Sequence, residues 1–175
     1  MLKALSSWLG KAQAQMSETG AEALMLARLA PDMFPLSTQI RFACAQAQEA
    51  IYRLQGLPYP ALVDELLNEG REASESPGSL TDAQARIAQT VAILEALPPY
   101  ALDADPDSLL SHELPNGLVF DLTAEQYARD WTLAQFYFHV MTAYAILRAG
   151  KVELGKADYI PHLIPYLRPT ATPER

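Results

Sequence analysis

Residues Trp131–Leu147 read WTLAQFYFHVMTAYAIL, a run with one imidazole, His139, two phenols, Tyr137 and Tyr144, and no Asp, Glu, Lys or Arg. A helix that is apolar on nearly every face is surrounded by protein or lipid. Upstream, Thr123-Ala124-Glu125-Gln126 has the capping-box pattern, and Glu125 complements the positive end of the helix dipole. Downstream, Arg148-Ala149-Gly150 supplies a stop. The run is short for a membrane span, and it carries Thr132, Gln135, His139 and Thr142. It therefore reads as the central or interface helix of an all-helical protein.

Working outward, three more long helices emerge. Leu2, Leu5, Leu9, Ala12 and Met16 fall on one stripe with Trp8 beside it, which predicts a first helix over 2–16. Lys11 interrupts the apolar run, so this segment reads as a helix and not as a signal peptide. Ser17–Gly20 is a break, followed by a short helix over 21–29. Pro31–Pro35 is an extended connector, because residues before proline avoid the helical region. Ser37 is expected to cap the next helix, which turns Ile40, Ala43, Cys44, Ala47, Ile51 and Leu54 inward and stops at Gly56. Thr81 and Gln84 suggest a capping box for a helix burying Ala83, Ile87, Val91, Leu94 and Leu97, ended by Pro98-Pro99.

Two regions read differently. Residues 57–78 contain Pro58, Pro60 and a polar stretch from Glu69 to Gly78. They predict a loop insertion in which 61–67 form two helical turns. Residues 109–113 and 118–121 flank Pro115-Asn116-Gly117 and predict a small β-hairpin leaning on the bundle. The tail from Pro161 to Arg175, with Pro161, Pro165, Pro169 and Pro173, is expected to wrap the surface. The sum is one domain over residues 1–175, an antiparallel up-down four-helix bundle with longer crossings.

The 175 residues carry a net charge of −8. An acidic surface argues against DNA, RNA and anionic membranes as partners. Cys44 is the single cysteine, so an internal disulfide and a cysteine metal cage are excluded, and its place inside a helix reads as a small buried hydrophobe. The composition fits a cytoplasmic location.

His139 leads the candidate site residues. As a metal ligand or acid–base group it would need partners from a facing helix. As a core residue it needs one hydrogen bond. Gln135, four residues earlier on the same stripe, is a candidate to orient the imidazole or a ligand, and Tyr144 is a third candidate for the same pocket. Tyr127 and Tyr137 read as core or interface aromatics. His112 and His162 are expected on the solvated surface. Asp103-Ala104-Asp105-Pro106-Asp107 starts like a calcium loop but has Ser108 and Leu114 where such a loop needs Gly and Glu. No phosphate loop, nucleophile elbow or zincin pattern is present.

Leu29-Ala30-Pro31-Asp32-Met33-Phe34-Pro35-Leu36, Phe136–His139 with Thr142–Arg148, and Leu154-Gly155-Lys156 with Asp158-Tyr159 together resemble an uncharacterised bacterial domain family of the DinB/YfiT-like superfamily of metalloenzymes. The likeness covers roughly residues 20–160 and is weakest at 57–78. It implies a DinB-like four-helix bundle, often homodimeric. It also implies a divalent metal held by one histidine on the second bundle helix and two, four residues apart, on the last. Here the second helix, 37–55, has no histidine, and Ala143 follows His139 by four. The three-histidine site and its metal-dependent thiol transfer are not expected, and His139 is the only candidate remnant.

Two readings follow. The favoured one is a homodimeric binding or structural module with no cofactor. The alternative is an enzyme, transferase- or hydrolase-like, with a pocket around His139 and a divalent metal completed by a carboxylate.

Overall fold

The computed structural model describes residues 1–103 and 105–168; Ala104 and the Pro169–Arg175 end of the expected tail lie outside them. The chain is mostly helical, with one two-stranded antiparallel hairpin. Helix α1 spans Leu2–Gln15, α2 Glu18–Ala23 with a 3-10 turn Leu24–Leu26, α3 Leu36–Leu54, α4 Ala61–Glu72 and α5 Leu80–Glu95. Strands β1 (Leu109–Glu113) and β2 (Val119–Thr123) follow. The last helical stretch comprises α6 (Ala124–Gln126), a π-helical segment (Tyr127–Leu133) and α7 (Ala134–Ala149). Helix α8 (Lys156–Tyr159) and a 3-10 turn (Pro161–Tyr166) close the described chain.

Helices α1, α3, α5 and α7 form the bundle, around a core that includes Leu5, Trp8, Ile40, Ala43, Ile87, Ala143 and Leu147. It departs from a simple up-down order. Ser37 meets Pro77 and, farther along, Gln48 meets Thr90, so α3 and α5 run parallel. Trp8 packs on Tyr144 and Gln15 meets Glu153, so α1 and α7 run parallel as well. The reason is α4. Residues 57–78, expected as a loop insertion, hold a helix that buries Val63, Leu66 and Gly70 and carries the chain back along α3. Its polar residues mark one exposed face, which in isolation resembles a loop composition.

Caps shift by one or two positions. Ser17 accepts a hydrogen bond from the Gly20 amide, so α2 begins inside the expected break. Pro35 precedes α3, while Ser37 sits within the helix and donates to the Pro77 carbonyl. Ser79 and Asp82 form the capping box of α5, and Gln84 instead pairs with Ser6. Thr123 and Gln126 form the expected box. The third sequence motif ties the bundle's outer pair. Asp158 pairs with Lys11 at 2.6 Å, and its carbonyl accepts from the Trp8 indole at 2.9 Å.

Thr38 donates to the Gly70 carbonyl at 2.7 Å, which draws α4 onto α3. A Cβ on Gly70 would lie 2.4 Å from the Phe42 ring, whereas one on Gly10, within α1, would meet nothing within 4 Å. The same substitution should therefore have opposite signs. Gly70→Ala is expected to destabilise by about 1–3 kcal/mol through overpacking. Gly10→Ala should stabilise by about 0.5–1 kcal/mol by restricting the unfolded chain. Urea midpoints of the two variants check both.

Candidate functional site

Helix α3 is buried on almost every side, including its polar residues Ser37, Thr38, Gln39, Arg41, Gln48 and Glu49. Buried polar groups need partners; two of those of α3, Gln39 and Glu49, belong to polar clusters beside the last helical stretch.

The first cluster contains His139. Its Nδ1 lies 2.9 Å from Gln39 Oε1, and the Gln39 amide nitrogen donates to the Phe34 carbonyl at 3.2 Å. Since Gln39 offers only its oxygen to the ring, Nδ1 carries the proton. Phe42 and Phe138 each pack edge-on to the imidazole, with ring centroids 5.3 Å apart. Burial lowers the His139 pKa from 6.5 to about 4, so the ring is neutral. Gln39 thus joins the motif around Phe34 to the motif around His139. Sequence spacing had pointed to Gln135 for this role; the partner comes from α3, across the bundle, a hundred positions earlier. Gln135 is half-buried. Tyr144 lies elsewhere, packed on Trp8 and lining a surface groove of about 360 Å³ with Met141, Lys156 and Tyr159.

These residues do not fit a three-histidine metal centre. An amide oxygen faces His139 from α3, and Ala143 occupies the next position on the last helix. Among the described residues, no group of three or more His, Cys, Asp or Glu side chains is placed to hold a metal ion.

The second cluster was not apparent in the sequence. A π-helical turn bonds residues five apart and brings them to one side, and here it turns Tyr127 and Thr132 inward together. His112, expected at the surface, is 5% exposed. It sits on the inward face of β1, 4.4 Å from the Trp131 ring and 5.4 Å from Tyr127. Phe120, the cross-strand partner of His112 on β2, also packs on Trp131, at 5.4 Å. From α3, Glu49 accepts from the Gln46 amide at 2.9 Å, and Arg53 donates to the Tyr59 hydroxyl at 3.2 Å while lying over that ring. Among the described residues, His112 Nδ1, Trp131 Nε1 and Gln46 Oε1 are buried without a hydrogen-bond partner, while the Tyr127 hydroxyl lies against those of Tyr59 and Thr132.

Electrostatics separate the two clusters. Burial raises the Glu49 carboxyl from 4.5 to about 7, against the pull of Arg53 and Arg71. Burial also pushes the Tyr127 phenol far up, and lowers His112. Cys44 is buried and raised to about 12, an inert thiol. A third feature, an open groove of about 450 Å³ beside Arg41, Glu69 and Arg86, is internally neutralised, with Glu69 accepting from both arginines.

Glu49 and His139 should act oppositely on stability. Glu49 stabilises as a neutral acid; this contribution is complete below 4.5 and is lost as pH rises through about 7. His139 stabilises as a neutral base; this contribution is complete above 6.5 and is lost as pH falls through about 4. Glu49→Gln is therefore expected to exceed the wild type above neutrality by roughly 2 kcal/mol, with the gain vanishing in acid. Urea unfolding across this pH range checks the crossover.

Comparison with known proteins adds the following. The family model "Domain of unknown function (DUF1993)" matches residues 1–160. A crystal structure of a DinB family member protein from Shewanella denitrificans superposes with a TM-score of 0.70 at 28% identity, covering 100% of this chain and 88% of that one. The fold is thus DinB-like. No curated protein matches the chain significantly. Among the described residues, no helix is long and apolar enough to cross a membrane.

Proposed function

The chain belongs to the DUF1993 family of unknown function, and from that premise we propose that it is a homodimeric binding module built on the DinB-like bundle, without the three-histidine metal chemistry. One observation carries the reading. Along the last helix, Leu133, Tyr137, Phe138 and Met141 remain 50, 38, 57 and 41% exposed, within a run that has no charged side chain. These positions share a helical face at spacings of three and four. The single bundle covers the opposite face, with Val140, Ala143 and Leu147 buried, and leaves this one open.

A contiguous apolar stripe of this kind marks an association surface. Being uncharged, it meets a second copy of itself about a two-fold axis without like-charge repulsion, while the net charge of −8 keeps other surfaces apart. The same acidity disfavours nucleic acid and anionic lipid as partners. The enzyme reading centred on His139 is weaker, because the ring's Nδ1 is engaged by Gln39 and its faces meet Phe42 and Phe138.

Light scattering at micromolar concentration should give twice the chain mass of 19.2 kDa. The double variant Phe138→Glu, Met141→Lys should give a monomer of unchanged helical content. A wild-type monomer at all concentrations contradicts the dimer, and a variant that remains dimeric moves the interface off this face.

A further inference from the structure

We propose that the open groove between α3, α4 and α5 binds a free α-amino acid, with the ligand's carboxylate on Arg41 and its ammonium on Asp82. The proposal rests on reading the chain as a binding module. It does not rest on dimerisation, because no residue of the last helix lines the groove.

The argument begins with an unspent donor. Arg41 is only 3% exposed, yet it lines a groove of about 450 Å³. Its Nε donates to Glu69 at 3.3 Å and its Nη1 to Ser37 at 2.9 Å. Among the described residues Nη2 makes no hydrogen bond, and Glu69 is the one carboxylate that pairs with Arg41. A buried guanidinium leaves a donor unused only at a cost in free energy. Gly78, another lining residue, stands beside that donor. A Cβ there would lie 2.6 Å from Arg41 Nη2 and 3.5 Å from Asp82 Oδ2, and its φ of +66° also favours glycine. The absent side chain leaves open the space that Nη2 and the Asp82 carboxylate share.

Asp82 has the complementary surplus. Its Oδ2 accepts from the Ser79 amide at 2.9 Å and from the Ser79 hydroxyl at 2.7 Å. Those bonds hold its carboxyl below the usual carboxylate range, so it is ionised. Its Oδ1 accepts no hydrogen bond among the described residues.

Charge then narrows the choice. The groove carries two guanidiniums, Arg41 and Arg86, and two carboxylates, Glu69 and Asp82. Glu69 is taken up between the two arginines. A simple anion therefore meets an opposing carboxylate, and a simple amine meets an opposing guanidinium. A zwitterion satisfies both, through charge-assisted hydrogen bonds to Arg41 Nη2 and Asp82 Oδ1. Since both groups stand beside one point at Gly78, the ligand's charges must be close together, as they are in an α-amino acid. Asp82, Ala85 and Gln89 share a face of α5 at spacings of three and four, so the ligand's side chain lies over Ala85 toward Gln89. Gln89 accepts from Arg86 at 3.2 Å through Oε1, which leaves its amide NH₂ for a polar side-chain end.

The test is an NMR titration of the full chain that follows the Gly78 backbone amide and the Gln89 side-chain amide. Gly117, in the hairpin turn, is the remote control. L-Glutamine should move the first two signals saturably and leave Gly117 in place. Sodium acetate and methylammonium chloride each supply half of the zwitterion and should bind at least about tenfold more weakly. Arg41 also ties α3 to α4, so the variants are placed on exposed residues of α5, with helical content as the check on folding. Asp82→Asn keeps an oxygen for the Ser79 cap but loses the charge, and should bind L-glutamine no better than acetate. Gln89→Ala should weaken L-glutamine and leave L-alanine binding unchanged. No saturable movement at Gly78, acetate binding as tightly as L-glutamine, or L-glutamine affinity unchanged in Asp82→Asn or in Gln89→Ala would overturn the proposal. Phe138→Glu, Met141→Lys should bind L-glutamine as the wild type does, which separates this result from the oligomeric state.

Discussion

The burial of α3 on almost every side governs the rest of the structure. A helix in that position ordinarily consists of apolar residues, yet α3 places Ser37, Thr38, Gln39, Arg41, Gln48 and Glu49 inside. Each needs a partner from a neighbouring element. Ser37 reaches the Pro77 carbonyl ahead of α5, Arg41 reaches Glu69 near the end of α4, Thr38 reaches Gly70, Gln48 reaches Thr90, and Gln39 reaches His139. These bonds set which helices adjoin α3 and in which direction they run. Apolar packing supplies the bulk of the stability, but it is not directional. The polar pairs specify the arrangement.

The same constraint joins the second and last bundle helices. In this chain the Gln39–His139 pair joins those two helices, and it continues through the Gln39 amide to the Phe34 carbonyl. The imidazole is neutral and flanked by Phe42 and Phe138, an environment suited to holding two helices together. Nearer the hairpin the seam is polar but incompletely satisfied. There the Trp131 indole nitrogen and His112 Nδ1 are buried without a partner among the described residues.

Much of the fold was legible because it depends on local signals. The apolar spacing of α1, α3 and α5, the Thr123–Gln126 box and the Asn116-Gly117 turn each act within a few residues. What stayed hidden depends on residues distant in sequence. Helix α4 looked like an insertion because its exposed face is polar, and only Gly70 against Phe42 shows how closely it packs. Gln135 was the natural partner for His139 by helical spacing, while the actual partner comes from α3. His112 looked solvent-facing until the hairpin placed it on Trp131. The π-segment has no sequence signature of this kind, and it alone turns Tyr127 and Thr132 to one side.

The most direct test is a carbon-13 NMR titration of the Glu49 side-chain carboxyl in the full chain. Burial of α3 on almost every side predicts a midpoint near 7. A midpoint at the ordinary value of 4.5 would contradict it, because the carboxyl would then not be desolvated inside the bundle.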